Sequence, residues 1–557
     1  MIRSLLSAFL FCIALTRLSA QTPFNTTDSI NVNNINAAVL VHGDMWCKPD
    51  TFKYHCYFPA DSTKNISGPG AIWMSGYDAA GQLHIAAQTY SQNGNDYWPG
   101  PLDTSDTLTY ATSQNWAKIW KVSNSDIQYF LSLSTHTIAN TPQSILTWPG
   151  RGNINAQGNA GVSLTVTNDM APFVDLNGNG IYEPLSGEYP DIKGDEALWW
   201  VFSDNGPAHT TTNGRPLDVE VHAMAYAYKR NTLIDNVVYY EYSIINRSPN
   251  SYSNFRMAQF DMSILGTGSD FETYIGFDSA WRMSITYNGT NDNGGFTNPR
   301  GYGLNPPVSG ITMIVLPGDA GTSYVPPGNF MYYNNDNSIV GNPVVDTEYN
   351  NYMRGKYKYG GRLTNDYTAA GTPTIGYGSG PDCNYVFPGD PSITTEWSEC
   401  ACNNTPGDRR YVLSSNDFTL SAGGTQKVVF ALIVTDTLAG GCPFANFNGI
   451  GIVADTAWAD YFNPPPSIPS SVSCLAQLDA INIYPNPAHD KLYIENKSSA
   501  AGDESVTIYN SIGQVMYVSI NQSNTKDTID ISPLPPGPYH VLYRKGDQQK
   551  SATFIKD

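Results

Sequence analysis

The sequence predicts a mainly β protein: multi-domain β-sandwich modules with long loops, ending in a small immunoglobulin-like seven-stranded sandwich. Two observations carry this. Charged residues make up only 14% of the 557 positions while 41% are hydrophobic and 12% aromatic, a balance that suits short strands and turns better than helices, whose surfaces need Glu and Lys. The apolar runs are also short, rich in Val, Ile and Tyr, and punctuated by Gly, Pro and Asn. This much apolar content excludes wholesale disorder, and the length calls for more than one core.

Residues 1–20 read as a signal peptide, with Arg3, an apolar run from Leu5 to Leu15, and the small-residue site Leu18-Ser19-Ala20. No later stretch approaches the roughly 20 apolar residues of a membrane span, so no integral membrane anchor is expected. Residues 21–170 form an N-terminal β-rich segment with strands at Ala37–Val41, Ala71–Gly76 and His84–Tyr90, and a helical piece at Ser125–Leu133. Residues 171–300 form a central β segment with an Asp/Asn-rich loop, then strands at Glu220–Tyr228, Asn236–Asn246, Phe255–Leu265 and within Tyr274–Tyr287. Residues 301–462 open on a loop-rich stretch, the Asn/Gly/Tyr-rich run over 288–380 reading as long loops. Strands at Arg410–Ser414, Asp417–Leu420 and Gln426–Val434 and a helix at Ile450–Tyr461 follow. Residues 463–477, with Pro464-Pro465-Pro466, are a semi-rigid spacer. Residues 478–557 hold seven alternating runs, Ile481–Tyr484, Lys491–Glu495, Ser505–Tyr509, Val515–Ile520, Asp527–Ile531, Tyr539–Tyr543 and Lys550–Ile555.

A net charge of −19 argues against a nucleic-acid partner, which needs clustered Lys and Arg. It suits an acidic extracellular surface that holds cations. Seven cysteines follow the signal, an odd number. Cys47 with Cys56 reads as a disulfide, and one or two more are expected among Cys383, Cys400, Cys402 and Cys442.

Asp175, Asn177 and Asn179 stand at positions one, three and five of a candidate calcium loop, with Gly180 at six, Ile181 at seven and Glu183 at nine. A hard cation needs several oxygens, and the glycine lets the backbone turn around it. Ser186 replaces the usual Glu at position twelve, leaving Glu188, Asp191 or Asp195 to supply that carboxylate. The ion would be structural; an Asx-rich turn without an ion is the competing reading. Asp261, Asp270, Asp278 and Asp292 form a weaker scatter of acids, and His209, Glu220 and His222 a weak transition-metal set beside the plain reading of hydrogen-bonded strand histidines. Trp199 and Trp200 alternate faces on a strand. No phosphate loop, zinc-protease helix or nucleophile elbow is present, and no catalytic residue is assigned.

In the last segment Tyr484-Pro485-Asn486-Pro487-Ala488 with Asp490, then Gly513, then Gly537 with Tyr539, and finally Phe554-Ile555-Lys556, resemble the type A C-terminal sorting domain of type IX secretion system cargo. The resemblance implies a Bacteroidota route: export to the periplasm, recognition by the translocon and its sorting-domain receptor and peptidase, then release or attachment to surface lipopolysaccharide. The body, through Ile72–Gly76, Tyr97–Leu102, Asp175–Asp195 and Pro406–Arg410, is similar to surface and secreted proteins of such bacteria, a likeness that implies no activity. The expectation is a secreted or cell-surface protein with a structural, adhesive or binding body, the alternative being an extracellular hydrolase of polysaccharide or protein.

Overall fold

The computed structural model describes residues 24–48, 53–89, 94–102, 107–206, 208–266, 272–294, 301–319, 325–435, 441–445, 447–464, 481–495, 504–510, 515–520, 527–545 and 548–557. The expected signal peptide, all but the start of the Pro-rich spacer, Asp270 and Gly513 lie outside them. The chain divides into two compact units, one running to Ile468 and one from Pro469.

The principal body strands are β1 (Asn36–Leu40), β2 (Gly70–Tyr77), β3 (Leu83–Ala86), β4 (Glu196–Ser203), β5 (Val219–Ala227), β6 (Val237–Asn246), β7 (Tyr252–Met262), β8 (Thr273–Asp278), β9 (Met283–Asn288), β10 (Val308–Val315), β11 (Asn329–Asn334), β12 (Arg409–Ser414) and β13 (Thr425–Thr435). A nine-stranded sheet runs β8-β9-β10-β13-β6-β5-β4 and then Trp98–Pro99, with Trp120–Ser123 also on β4. A six-stranded sheet runs β11-β12-β7-β2-β3, with Phe418–Leu420 also on β7. Strands from all three sequence segments share the nine-stranded sheet, so the segments are stretches of one unit.

Residue parity in the large sheet explains the layering, because successive strand side chains point to opposite faces. Trp200, Tyr240, Tyr242, Val428 and Phe430 belong to the core that also contains Trp73, Met257, Phe260 and Met331 of the six-stranded sheet. Trp199, Tyr226, Tyr239, Val429 and Ala431 face a second core, closed by Ile127 and Phe130 of helix α1 (Asn124–Ser132), Trp148, Tyr182, and Ile450 and Ala457 of a long helix (Asn448–Phe462). Tyr240 stacks on Phe430 on the first face at 5.1 Å, and Tyr226 on Tyr239 on the second at 4.9 Å.

Three expectations change. Cys47 and Cys56 are free and buried, because strand register places Tyr54 opposite Cys47 and Ala37 opposite Cys56. The observed bridge is Cys400–Cys442, closing a separation of 42 residues, a closure worth about 4 kcal/mol in chain entropy. The stretch 288–380 is not all loop: it supplies β10, β11 and a helix (Asp346–Met353). Last, the strand expected to reach Tyr90 ends at Ala86, since the Gln88 carbonyl accepts from Trp73 Nε1 at 2.9 Å and its side chain accepts from the Asp96 N–H at 3.1 Å.

The C-terminal unit contains β14 (Asn482–Tyr484), β15 (Lys491–Glu495), β16 (Glu504–Asn510), β17 (Val515–Ile520), β18 (Asp527–Asp530), β19 (Gly537–Lys545) and β20 (Gln548–Lys556). They form a three-stranded sheet, β14-β15-β18, and a four-stranded sheet, β17-β16-β19-β20. Leu492, Ile494, Ile508, Ile529, Val541 and Phe554 fill one core between them.

A buried acid sits on the six-stranded sheet. Asp261 on β7 is 1% exposed and accepts from the Ser67 hydroxyl, and burial pushes its carboxyl up to about 7 from the ordinary 3.8. A folded-state pKa above the unfolded value means stability that is full below about pH 4 and lost as pH rises through 7. Asp261→Asn removes this titration. Between pH 4 and pH 8 the stability difference between variant and parent, read from denaturant melts, should move toward the variant by up to roughly 4 kcal/mol.

Candidate functional site

The first and last pieces of the expected sorting motif meet in the C-terminal unit. Pro485 and Pro487 have no N–H to donate to a ladder, so β14 stops at Tyr484. Asn486, between them, takes up the bonding instead. Its Oδ1 accepts from the Ile555 N–H at 2.9 Å and its Nδ2 donates to the Thr553 carbonyl at 3.2 Å, a contact spanning 69 residues of sequence. The Ala488 N–H donates to the Ile555 carbonyl at 2.8 Å, and the Asp557 N–H to the Ala488 carbonyl at 3.1 Å. The first and last motif pieces are thus laid side by side as a clip.

Around the clip Tyr484 stacks on Tyr493 at 5.5 Å, and its hydroxyl bonds Glu495. Tyr539 stacks on Phe554 at 5.4 Å and donates to the Pro535 carbonyl at 2.7 Å. Lys556 is buried, its ammonium donating to the Asp557 carbonyl oxygen at 2.8 Å. Gly537 opens β19 at φ 151°, a backbone state that favours glycine. Asp490 is exposed beside His489, its backbone carbonyl accepting from Ile531 at 2.9 Å. The presented surface is therefore Pro485, Asn486, Pro487 and the exposed Ile555. The pairing of Asn486 with β20 was invisible in the sequence, because nothing local marks a contact at that separation.

The Asp175 loop gathers four of its six expected residues. Asp175 Oδ1 accepts from Gly178 N–H at 2.7 Å and Oδ2 from Gly180 N–H at 2.8 Å. These contacts, Gly180 first, hold its carboxyl below the usual carboxylate range. Gly178 and Gly180 sit at φ 75° and 72°, where a Cβ would be strained. The Asn177 and Asn179 side-chain oxygens cap the Asn179 and Ile181 N–H groups, and both amides donate to Glu183 Oε2 at 2.9 and 2.8 Å. Buried Glu188 pins the loop from beneath, accepting from Leu176 N–H at 3.2 Å and Glu183 N–H at 2.8 Å. Ile181 is 42% exposed, and Asp191 is exposed with its N–H on the Pro172 carbonyl at 3.1 Å.

The weaker sets disperse. Both His209 ring nitrogens face carbonyl oxygens, of Ile85 at 3.0 Å and of Asp204 at 2.6 Å. His222 bonds Glu220, whose carboxyl also pairs with Arg247. Asp261 is in the core, and Asp278 and Asp292 cap their own turns. Among the described residues no three His, Cys, Asp or Glu side chains are grouped to hold a metal, and no helix is long and apolar enough to cross a membrane.

Residues 482–557 match the family described as the secretion system C-terminal sorting domain. The chain therefore carries such a domain and is secreted cargo, bound for the cell surface or the extracellular space. No curated protein matches. Among solved structures the chain is similar to a polysaccharide lyase (9% identity over 62% of this chain and 35% of that one, TM-score 0.18). It is also similar to dimeric latent PorU from Porphyromonas gingivalis (10%, 72% and 35%, TM-score 0.12). A third is the BSP domain of a biofilm-associated protein (10%, 95% and 80%, TM-score 0.14). The chain thus spans about a third of the length of the first two, and at these scores none informs the fold or activity of the body.

Asn486→Ala removes both side-chain bonds to β20. It should destabilise the C-terminal unit by about 1–3 kcal/mol, read as faster amide exchange at Ile555 with exchange in the body unchanged.

Proposed function

We propose that this chain is type IX secretion cargo whose sorting domain offers the Pro485–Pro487 clip to the translocon and its receptor peptidase. The body then works outside the cell in a structural, adhesive or binding role, released or held by surface lipopolysaccharide. The observation that carries the export reading is the match of residues 482–557 to the sorting-domain family. The clip supports it, since it lays the first and last motif pieces side by side and leaves Pro485, Asn486, Pro487 and Ile555 exposed. A structural calcium ion at the Asp175 loop is part of the same proposal, supported by the side-chain oxygens of Asp175, Asn177, Asn179 and Glu183 drawn into one exposed turn.

Deletion of residues 478–557 should trap the body in the periplasm; finding the truncated protein outside the cell would refute the export reading. Excess chelator should lower the melting temperature of the body, because an ion that binds only the folded state contributes about 2.7 kcal/mol at a hundred times its Kd. An unchanged melt makes the loop an ion-free Asx turn.

A further inference from the structure

We infer that the hollow between α1 and the Tyr189–Gly194 turn is a binding subsite for a neutral saccharide. The inference rests on the binding role proposed for the body and gives it a place and a ligand class. The hollow has a volume of about 300 Å³, at the lower bound of ligand-sized cavities. Helix α1 turns Asn124, Ile127, Gln128 and Leu131 toward it, positions that share one helical face. Ile127 continues into the core, Leu131 stands 46% exposed at the mouth, and Gln128 makes one long bond, to Asn124 at 3.4 Å.

The opposite wall decides the ligand's charge. Lys193 lies 2.6 Å from Glu241 and over the Tyr461 ring at 4.8 Å. Arg230 pairs with Asp195 and lies over the Tyr228 ring at 5.2 Å. Each cation faces a carboxylate, Glu241 being shared with Lys427 at 2.5 Å. The exposed Asp191 carboxylate adds a negative charge to the same lining, so the wall carries N–H groups without a net field that draws anions. In the rest of the lining Tyr189 and Ile192 give apolar surface, Gln128 an amide that both donates and accepts, and Asp191 a carboxylate that accepts. A sugar matches this, with an apolar ring face and a rim of hydroxyls that each donate and accept. A polyanion would meet the Asp191 carboxylate beside cations already paired with acids, and a purely apolar ligand would strand the amide.

The walls are also fixed before any ligand arrives. Ser123 caps α1, accepting from Asp126 N–H at 3.1 Å, and the Asn124 N–H donates to the Asp195 carbonyl at 2.8 Å. Tyr189 and Pro190 pair with Val174 and Phe173. Binding therefore incurs little ordering cost on the protein side.

The test is calorimetric titration of the mature secreted chain with neutral trisaccharides (cellotriose, xylotriose, maltotriose, chitotriose) and with trigalacturonate as the anionic comparison. At least one neutral trisaccharide should bind. Gln128→Leu should weaken it at least tenfold and Gln128→Trp, which fills the hollow, should abolish it, both with the parent's melting temperature. Equal binding by Gln128→Trp overturns the subsite and leaves the body's binding role standing elsewhere. Binding of trigalacturonate alone, or of none, also overturns it. Export is scored separately by fractionation, so the two failures are distinguishable.

Discussion

The body depends on burying one antiparallel sheet on both faces. Along β13, Val428, Phe430, Leu432 and Val434 face the six-stranded sheet, while Val429, Ala431 and Ile433 face the helices and the long excursion between Trp116 and Ile192. Each buried aromatic removes some 150–250 Å² from water, roughly 4–6 kcal/mol before entropy is counted. Both faces of this sheet hold several. The strand pairing follows from the same constraint, because a register slip of one residue on β13 would exchange the two cores. Backbone groups in so dry a place must all be paired, which the ladders to β6 and β10 achieve.

This also explains how much was legible beforehand. Strands such as Gln426–Val434 and Asn236–Asn246 stood out by composition, and so did their approximate ends. Their partners did not, since a strand apolar on every residue gives no parity from which to infer which face meets what. β10 and β11 were lost among the Asn and Gly residues that flank them, although Val308–Val315 is almost entirely buried. The C-terminal unit was easier. Its strands alternate, its turns carry Pro and Gly, and all seven runs became strands. The Asp175 turn was legible as a local object, because its bonds span two to six residues apart from the one from Leu176 N–H to Glu188, which spans twelve. The walls of the neighbouring hollow were not, because Lys193 meets Glu241 across 48 residues and Arg230 meets Asp195 across 35.

With both sheet faces covered, chemistry has only the rims and the covering layer left. That layer supplies α1, the Asp175 turn and the Tyr189–Gly194 turn, and it is anchored by single residues reaching the sheet or its neighbours. Tyr182 donates to the Ile145 carbonyl at 2.8 Å, and Trp148 to the Pro172 carbonyl at 2.9 Å. Gly152 has no Cβ because the Ile181 side chain occupies that space, 2.6 Å from where the atom would stand. The layer can therefore change its exposed residues while the sheet beneath stays constant.

The clip in the C-terminal unit bears on the order of events in the cell. A chain is made from its N-terminal end, so β20 is synthesised after every strand of the body. Asn486 waits for Thr553 and Ile555, and until they exist the Pro485–Pro487 segment has nothing to lie against. The clip can therefore form only after every strand of the body has left the ribosome.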